Sequence, residues 1–142
     1  MKTIAPAFLE YWLRDYYFNA EIDISGSGVE DFSLAEIRQH IGITQEELDE
    51  VFLHDSQTLG GLKLRQAIAN RWGNGNPEEV MVTNGSTEII FLIMHALLKP
   101  DDEVIVIEPC YPALMNVAES IGCHIKRWHL SFEQQFIPNL AI

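Results

Sequence analysis

The sequence predicts an α/β fold in which an N-terminal helical arm leads into a βαβαβ run, an incomplete parallel sheet. Two observations carry that expectation. From Gly60 onward, helical-period segments alternate with short apolar runs, the pattern of strands joined by crossover helices. A hydrophobic content of 47% and a charged content of 21% over 142 residues are those of a folded globular chain about one domain long.

The elements follow in order. Pro6 to Asn19 reads as an amphipathic helix, because Phe8, Leu9, Trp12, Leu13, Tyr16 and Tyr17 recur at helical spacing. A stripe of this kind more often packs than binds. Glu21 to Ser25 is a short extended piece ending in Ser25-Gly26-Ser27-Gly28. Ser33 to His40 and Thr44 to Leu53 read as two short helices, the second opening with Thr44 and Glu47 at capping-box spacing. Leu62 to Trp72 is a helix with Leu64, Ile68 and Trp72 on one face, stopped by Gly73-Asn74-Gly75-Asn76-Pro77. A strand over Val80–Thr83, a helix over Ser86–Leu98 and a strand over Glu103–Ile107 come next. Pro112 to Ile121 is a helix ended by Gly122, and His124 to Trp128 is the third strand. No repeat, low-complexity tract or linker interrupts this order, so one structural unit without an internal domain boundary is expected.

Charge and cysteine usage exclude several roles. A net charge of −12 repels a nucleic acid backbone, and no Lys/Arg cluster reverses it locally. The longest apolar run, Ile89 to Leu98, contains His95 and falls short of the roughly 20 residues a membrane span needs. The start, MKTIAPAFLEYWLRDYYF, carries Glu10, Arg14 and Asp15, unlike a signal peptide, so a cytoplasmic protein is expected. Cys110 and Cys123 form no CxxC pair and are expected as unpaired thiols in or near the core. His40, His54, His95, His124 and His129 show no metal-binding spacing, His95 reads as a packing residue, and no metal site is assigned. The acidic run from Gln45 to Glu50 reads as a solvated helix face.

In open α/β sheets, ligands gather at the carboxyl ends of strands. Two loops qualify: Asn84-Gly85-Ser86-Thr87 and Glu108-Pro109-Cys110-Tyr111-Pro112. The main-chain N–H groups of Gly85, Ser86 and Thr87 at a helix start suit a phosphate, with the two hydroxyls as further donors. Taken alone, the same residues read more simply as a turn and a helix cap. Tyr111, between two prolines, reads alone equally well as a surface aromatic or as a platform for a flat ring. Together the two loops favour a flat, phosphorylated, heteroaromatic ligand.

The stretches LGGLKLRQAIANRW and EVMVTNGSTEIIFLIMHALLKPDDEVIVIEPCYP resemble the first part of the large domain of fold-type-I pyridoxal-phosphate enzymes, the class I/II aminotransferase superfamily. Upstream, FLEYWLRDYYFNAEIDISGSGVEDFSLAEIR is similar to a narrower group, the capreomycidine synthase-like enzymes that act on arginine derivatives. The resemblance implies that residues 1–59 form an N-terminal arm and small-domain-like segment and that 60–142 form part of the cofactor-binding domain. It implies pyridoxal phosphate as cofactor, its phosphate on Gly85, Ser86 and Thr87 and its ring stacked on Tyr111. Gly28 and Val29 are implied beside the carboxylate of an amino-acid substrate. General aminotransferases place a Tyr five residues before the glycine matching Gly60; Asp55 stands there, as it does in the narrower group.

The resemblance also implies what this chain does not supply. The Schiff-base lysine, the acid facing the pyridinium nitrogen and the arginine that clamps the substrate lie, in the family, beyond the point equivalent to Ile142. Lys2, Lys63, Lys99 and Lys126 stand in no matching context, and residues 130–140 resemble a connector to a further helix. The expectation is a fragment, a truncated product or one piece of a split enzyme, with no catalytic residue of its own and inactive alone. Family members are homodimers, so a homodimer or pairing with a homologous chain is implied. The alternative is a non-catalytic remnant or interaction subunit pairing with a full-length relative. A nucleotide-binding α/β domain fits less well, since GxGxxG is missing.

Overall fold

The computed structural model describes residues 3–24, 26 and 28–139. In chain order the helices and strands are α1 (Phe8–Tyr16), α2 (Leu34–Ile41), α3 (Gln45–Asp49), α4 (Leu62–Trp72), α5 (Ser86–Leu97), β1 (Glu103–Glu108), α6 (Pro112–Ile121) and β2 (His124–His129). They fall into two compact units, one of residues 1–20 with 83–142 and the other of residues 21–82.

In the first unit, β1 and β2 are parallel neighbours, with Glu103 opposite His124 and Glu108 opposite His129. A parallel pair needs a crossover, and α6 provides it. Pro112 opens this helix, where its missing N–H costs nothing, and Gly122 closes it at φ 109. Val106 of β1, Val117 and Ala118 of α6, and Cys123 are buried together with the polar Asn116 and Ser120. Both polar groups are satisfied: Ser120 donates to the Val117 carbonyl, and Asn116 donates to the Ala5 carbonyl at 3.1 Å. That second bond fastens the segment leading into α1 onto α6. Burial, and secondarily the charge of Asp102, pushes the Cys123 thiol above its ordinary pKa. Both cysteines are free; Cys110 is half-buried. His95 is exposed, its ring 4.0 Å from that of Phe91.

In the second unit, α2 and α3 each begin with a capping box, Ser33 with Glu36 and Thr44 with Glu47. Further along the chain, α4 carries a buried arginine. Arg65 donates to the Gly60 carbonyl at 3.0 Å and the Pro77 carbonyl at 2.7 Å, and pairs with Glu78 at 3.2 Å. Every buried charge needs such partners.

The helices expected over Leu62–Trp72 and Pro112–Ile121 keep those bounds. Three expectations change. The strand expected over Val80–Thr83 is not formed: Val80 is extended, but Val82 N–H donates to the Leu59 carbonyl, and the sheet among the described residues has two strands. The helix expected over Thr44–Leu53 stops at Asp49, where Asp49 and Glu50 set negative charge against the negative end of the helix dipole. The arm expected to be helical from Pro6 to Asn19 is α-helical over Phe8–Tyr16 and continues as a 3-10 turn, Tyr17–Asn19, with its aromatic stripe exposed. Among the described residues no helix is long and apolar enough to cross a membrane. Ser25 and Ser27 of the Gly26/Gly28 loop, Lys2 and Leu140 lie outside the described residues.

Candidate functional site

The turn before α5 is locked by its own polar atoms. Thr83 Oγ1 donates to the Gly85 carbonyl at 3.0 Å, and Gly85 N–H donates back to the Thr83 carbonyl at 3.1 Å. Asn84 N–H donates to the Glu88 carboxylate at 2.7 Å. Gly85 itself adopts φ 85, ψ 169, a region open in practice to glycine alone. A Cβ placed there would meet no atom within 4 Å, so the space over the turn is open to an incoming group.

The Gly85 N–H is thereby engaged within the turn, whereas the sequence reading offers it to a phosphate beside those of Ser86 and Thr87. Ser86 and Thr87 remain. No side chain caps α5, and the amides of its first turn have no intrahelical acceptor by position. With the dipole adding partial positive charge, those amides and the Ser86 hydroxyl form an exposed set of donors suited to an anion.

Tyr111 is the residue before α6, extended at φ −64, ψ 127, at the end of β1 and half-buried. Its hydroxyl lies 3.1 Å from Thr87 Oγ1 and donates to Glu10 Oε1 at 3.0 Å. The structure thus brings Thr87 and Tyr111 together and adds Glu10 of α1, which no sequence pattern singles out. Its partner is 101 residues away, beyond any local pattern. Glu88 was more accessible to sequence reasoning, since a glutamate at the third helical position commonly reaches back to the residues before the helix.

Beside Tyr111 runs a groove of about 560 Å³ lined by Pro6, Phe8, Leu9, Pro109, Cys110 and Met115, among others. It takes in Pro109, Cys110 and Pro112 of the loop that carries Tyr111, and Gly85, Ser86 and Thr87 are not among its lining residues.

Gly28 and Val29 belong to the second unit. Gly28 has open space where a Cβ would stand, and Val29 is exposed. Asp55 is exposed as well. Of the described lysines, Lys63 and Lys99 are exposed, and Lys126 pairs with Glu103 across the two strands at 2.8 Å. Among the described residues, no group of three or more His, Cys, Asp and Glu is placed to hold a metal ion. The arrangement can hold an anion on the Ser86–Thr87 turn and set an aromatic plane beside it.

Comparison with known proteins matches residues 36–140 to the family model for aminotransferase class I and II. Capreomycidine synthase of Streptomyces vinaceus is 38% identical over 141 residues, which are 98% of this chain and 36% of that protein. A solved PLP-dependent cyclase, OrfR, superposes with a TM-score of 0.81 at 38% identity, covering 91% of this chain and 34% of the cyclase. A PLP-dependent aminotransferase from Streptococcus suis gives a TM-score of 0.86 at 25% identity over 97% of this chain and 38% of that one. The chain spans about a third of the length of each of these relatives.

Proposed function

The chain belongs to the class I and II aminotransferase family, and from that premise we propose that it supplies the phosphate- and ring-binding part of a pyridoxal-phosphate enzyme acting on an amino acid. The contact between Thr87 and Tyr111 carries the proposal, because it sets an anion cradle and an aromatic plane at adjoining positions. A phosphorylated pyridine requires that pair of features, and the open space over Gly85 admits the phosphate. The residues present therefore fit the cofactor. Ser86 and Thr87 would hold its phosphate through their main-chain N–H groups, with the Ser86 hydroxyl as a further donor, Gly85 would keep the approach clear, and Tyr111 would cover the ring.

Pyridoxal phosphate, when bound, supplies an electron sink for bond breaking at the α-carbon of an amino acid. This chain's residues contribute position and charge neutralisation. Thr83, Asn84 and Glu88 hold the turn in shape before any ligand arrives, so little ordering remains to be done on binding. The substrate class proposed is an arginine derivative, in line with the likeness to capreomycidine synthase, with Gly28 and Val29 beside its carboxylate. Among the described residues, the side-chain partners of Thr87 and Tyr111 are each other and Glu10, so this part of the site contributes no covalent step.

The experiment is an absorbance titration of the chain with pyridoxal phosphate, repeated with Gly85→Asp. Saturable binding, weakened at least about tenfold by a carboxylate placed in the cradle, is expected. Absence of saturable binding, or indifference to the substitution, would sink the assignment. A second reading, an interaction subunit, draws on the exposed Phe8, Trp12 and Tyr16 of α1. Co-purification with a full-length relative, lost on replacing those aromatics, would support it.

A further inference from the structure

The hydrogen bonds around Tyr111 have a forced direction. An ionised carboxylate only accepts, so the phenol proton of Tyr111 is committed to Glu10. The phenol oxygen is then left as an acceptor, and the 3.1 Å contact with Thr87 can be filled only by the Thr87 hydroxyl proton. Thr87 therefore spends its one hydroxyl donor on Tyr111 and presents lone pairs elsewhere. A phosphate oxygen is also an acceptor, so in this arrangement the Thr87 hydroxyl cannot serve an anion in the cradle.

We propose that Glu10 is a positioning residue that sets the anion affinity of the Ser86–Thr87 cradle by orienting the Tyr111 and Thr87 hydroxyls in series, with the N-terminal helix as the element that delivers it. The inference rests on the phosphate-binding reading of that turn. Delivery of Glu10 depends on a second, separate contact. The buried Asn116 side chain donates to the Ala5 carbonyl, fixing the chain just before α1 begins. With α1 docked, the relay holds and the cradle has main-chain donors and Ser86 alone. With Glu10 removed, Tyr111 can donate to Thr87 Oγ1, and the Thr87 proton turns toward the anion. Docking of the arm and loading of the phosphate thus oppose each other through one proton position, an opposition that thermodynamic linkage makes reciprocal.

The test measures the Kd of inorganic phosphate, and separately of pyridoxal phosphate, by calorimetry on the intact 142-residue chain. Glu10→Ala is expected to tighten phosphate binding about tenfold, the worth of one regained hydrogen bond to a charged group. In a Thr87→Val background the same substitution is expected to change nothing, because no hydroxyl remains to release. Asn116→Ala, which frees the arm without touching the cradle, should reproduce the gain in part. Three results would overturn the proposal. A loss of affinity in Glu10→Ala would mean that Glu10 merely braces Tyr111. A gain that persists undiminished with Thr87→Val would mean that simple charge repulsion is at work. No change at all, while Gly85→Asp still abolishes binding, would remove the relay and leave the cradle reading intact. Failure of wild type and every variant to bind phosphate would instead remove the cradle reading itself.

Discussion

At the scale of single residues, two glycines with positive φ separate structural from functional need. Gly60 sits at φ 99, and a Cβ there would lie 2.7 Å from Val82 Cβ, closer than side chains tolerate. Neither atom is the end of a flexible chain, so the backbone would have to move. Gly85 is equally restricted in φ but faces open space. Gly60→Ala should therefore cost about 2–4 kcal/mol, strain plus overlap, and Gly85→Ala only about 1–3 kcal/mol of strain. Urea denaturation of the two variants checks the order; equal losses would contradict it. The same contrast explains what the sequence showed of the site. Gly85, Ser86 and Thr87 are consecutive, and Tyr111 stands at a recognisable strand end, so their chemistry could be read in line. The direction of the Tyr111 hydrogen bonds depends on Glu10, 101 residues earlier, and only a folded chain reveals it.

At the scale of elements, capping chemistry decides where helices begin. Ser33 donates its hydroxyl and its N–H to Glu36, and these two bonds, the hydroxyl first, hold the Glu36 carboxyl below its ordinary pKa. A depressed carboxylate stabilises above the ordinary carboxylate range, and that contribution disappears as the pH falls through the lower, folded value. Carbon-detected NMR of the Glu36 carboxyl should give a titration midpoint below that of a free glutamate, moving up toward it in Ser33→Ala; a midpoint insensitive to Ser33 would refute the link. Local rules of this sort made much of the fold legible. The capping box at Thr44 and Glu47, the proline at the head of α6 and Gly122 at its foot are all local signals, and the elements they delimit start or stop where expected. The run Val80–Thr83 misled for the converse reason. Four apolar or β-branched residues suit a strand, but a strand exists only when a partner lies alongside, and here Val82 finds a loop carbonyl instead. The end of α3 misled less, since Asp49 and Glu50 at a helix C-terminus are themselves a stop signal that apolar periodicity overlooked.

At the scale of the whole molecule, two opposing surface properties decide its behaviour in solution. Helix α5 reads STEIIFLIMHAL and none of its residues is buried; Ile93 is 49% and Leu97 73% exposed. On β1, Ile105 and Ile107 are also exposed. Apolar side chains packed this closely on open faces favour association, since each removes roughly 25 cal/mol per Å² of apolar surface from water when covered. Against that stands a net charge of −12, which keeps copies apart over a distance of about 10 Å at 0.1 M salt. The balance therefore depends on ionic strength. At low salt, repulsion acts over several times that distance; at 1 M it is confined to about 3 Å, within contact range, while apolar attraction is undiminished. The chain should bind a hydrophobic dye at all salt concentrations and shift from small to larger species in analytical ultracentrifugation as salt rises. Ile93→Glu with Leu97→Glu, two exposed positions, should lower both dye binding and the salt-driven shift while leaving far-ultraviolet dichroism unchanged. A single monomeric species from 0.01 to 1 M salt, with no dye bound, would show that these faces are not open in solution.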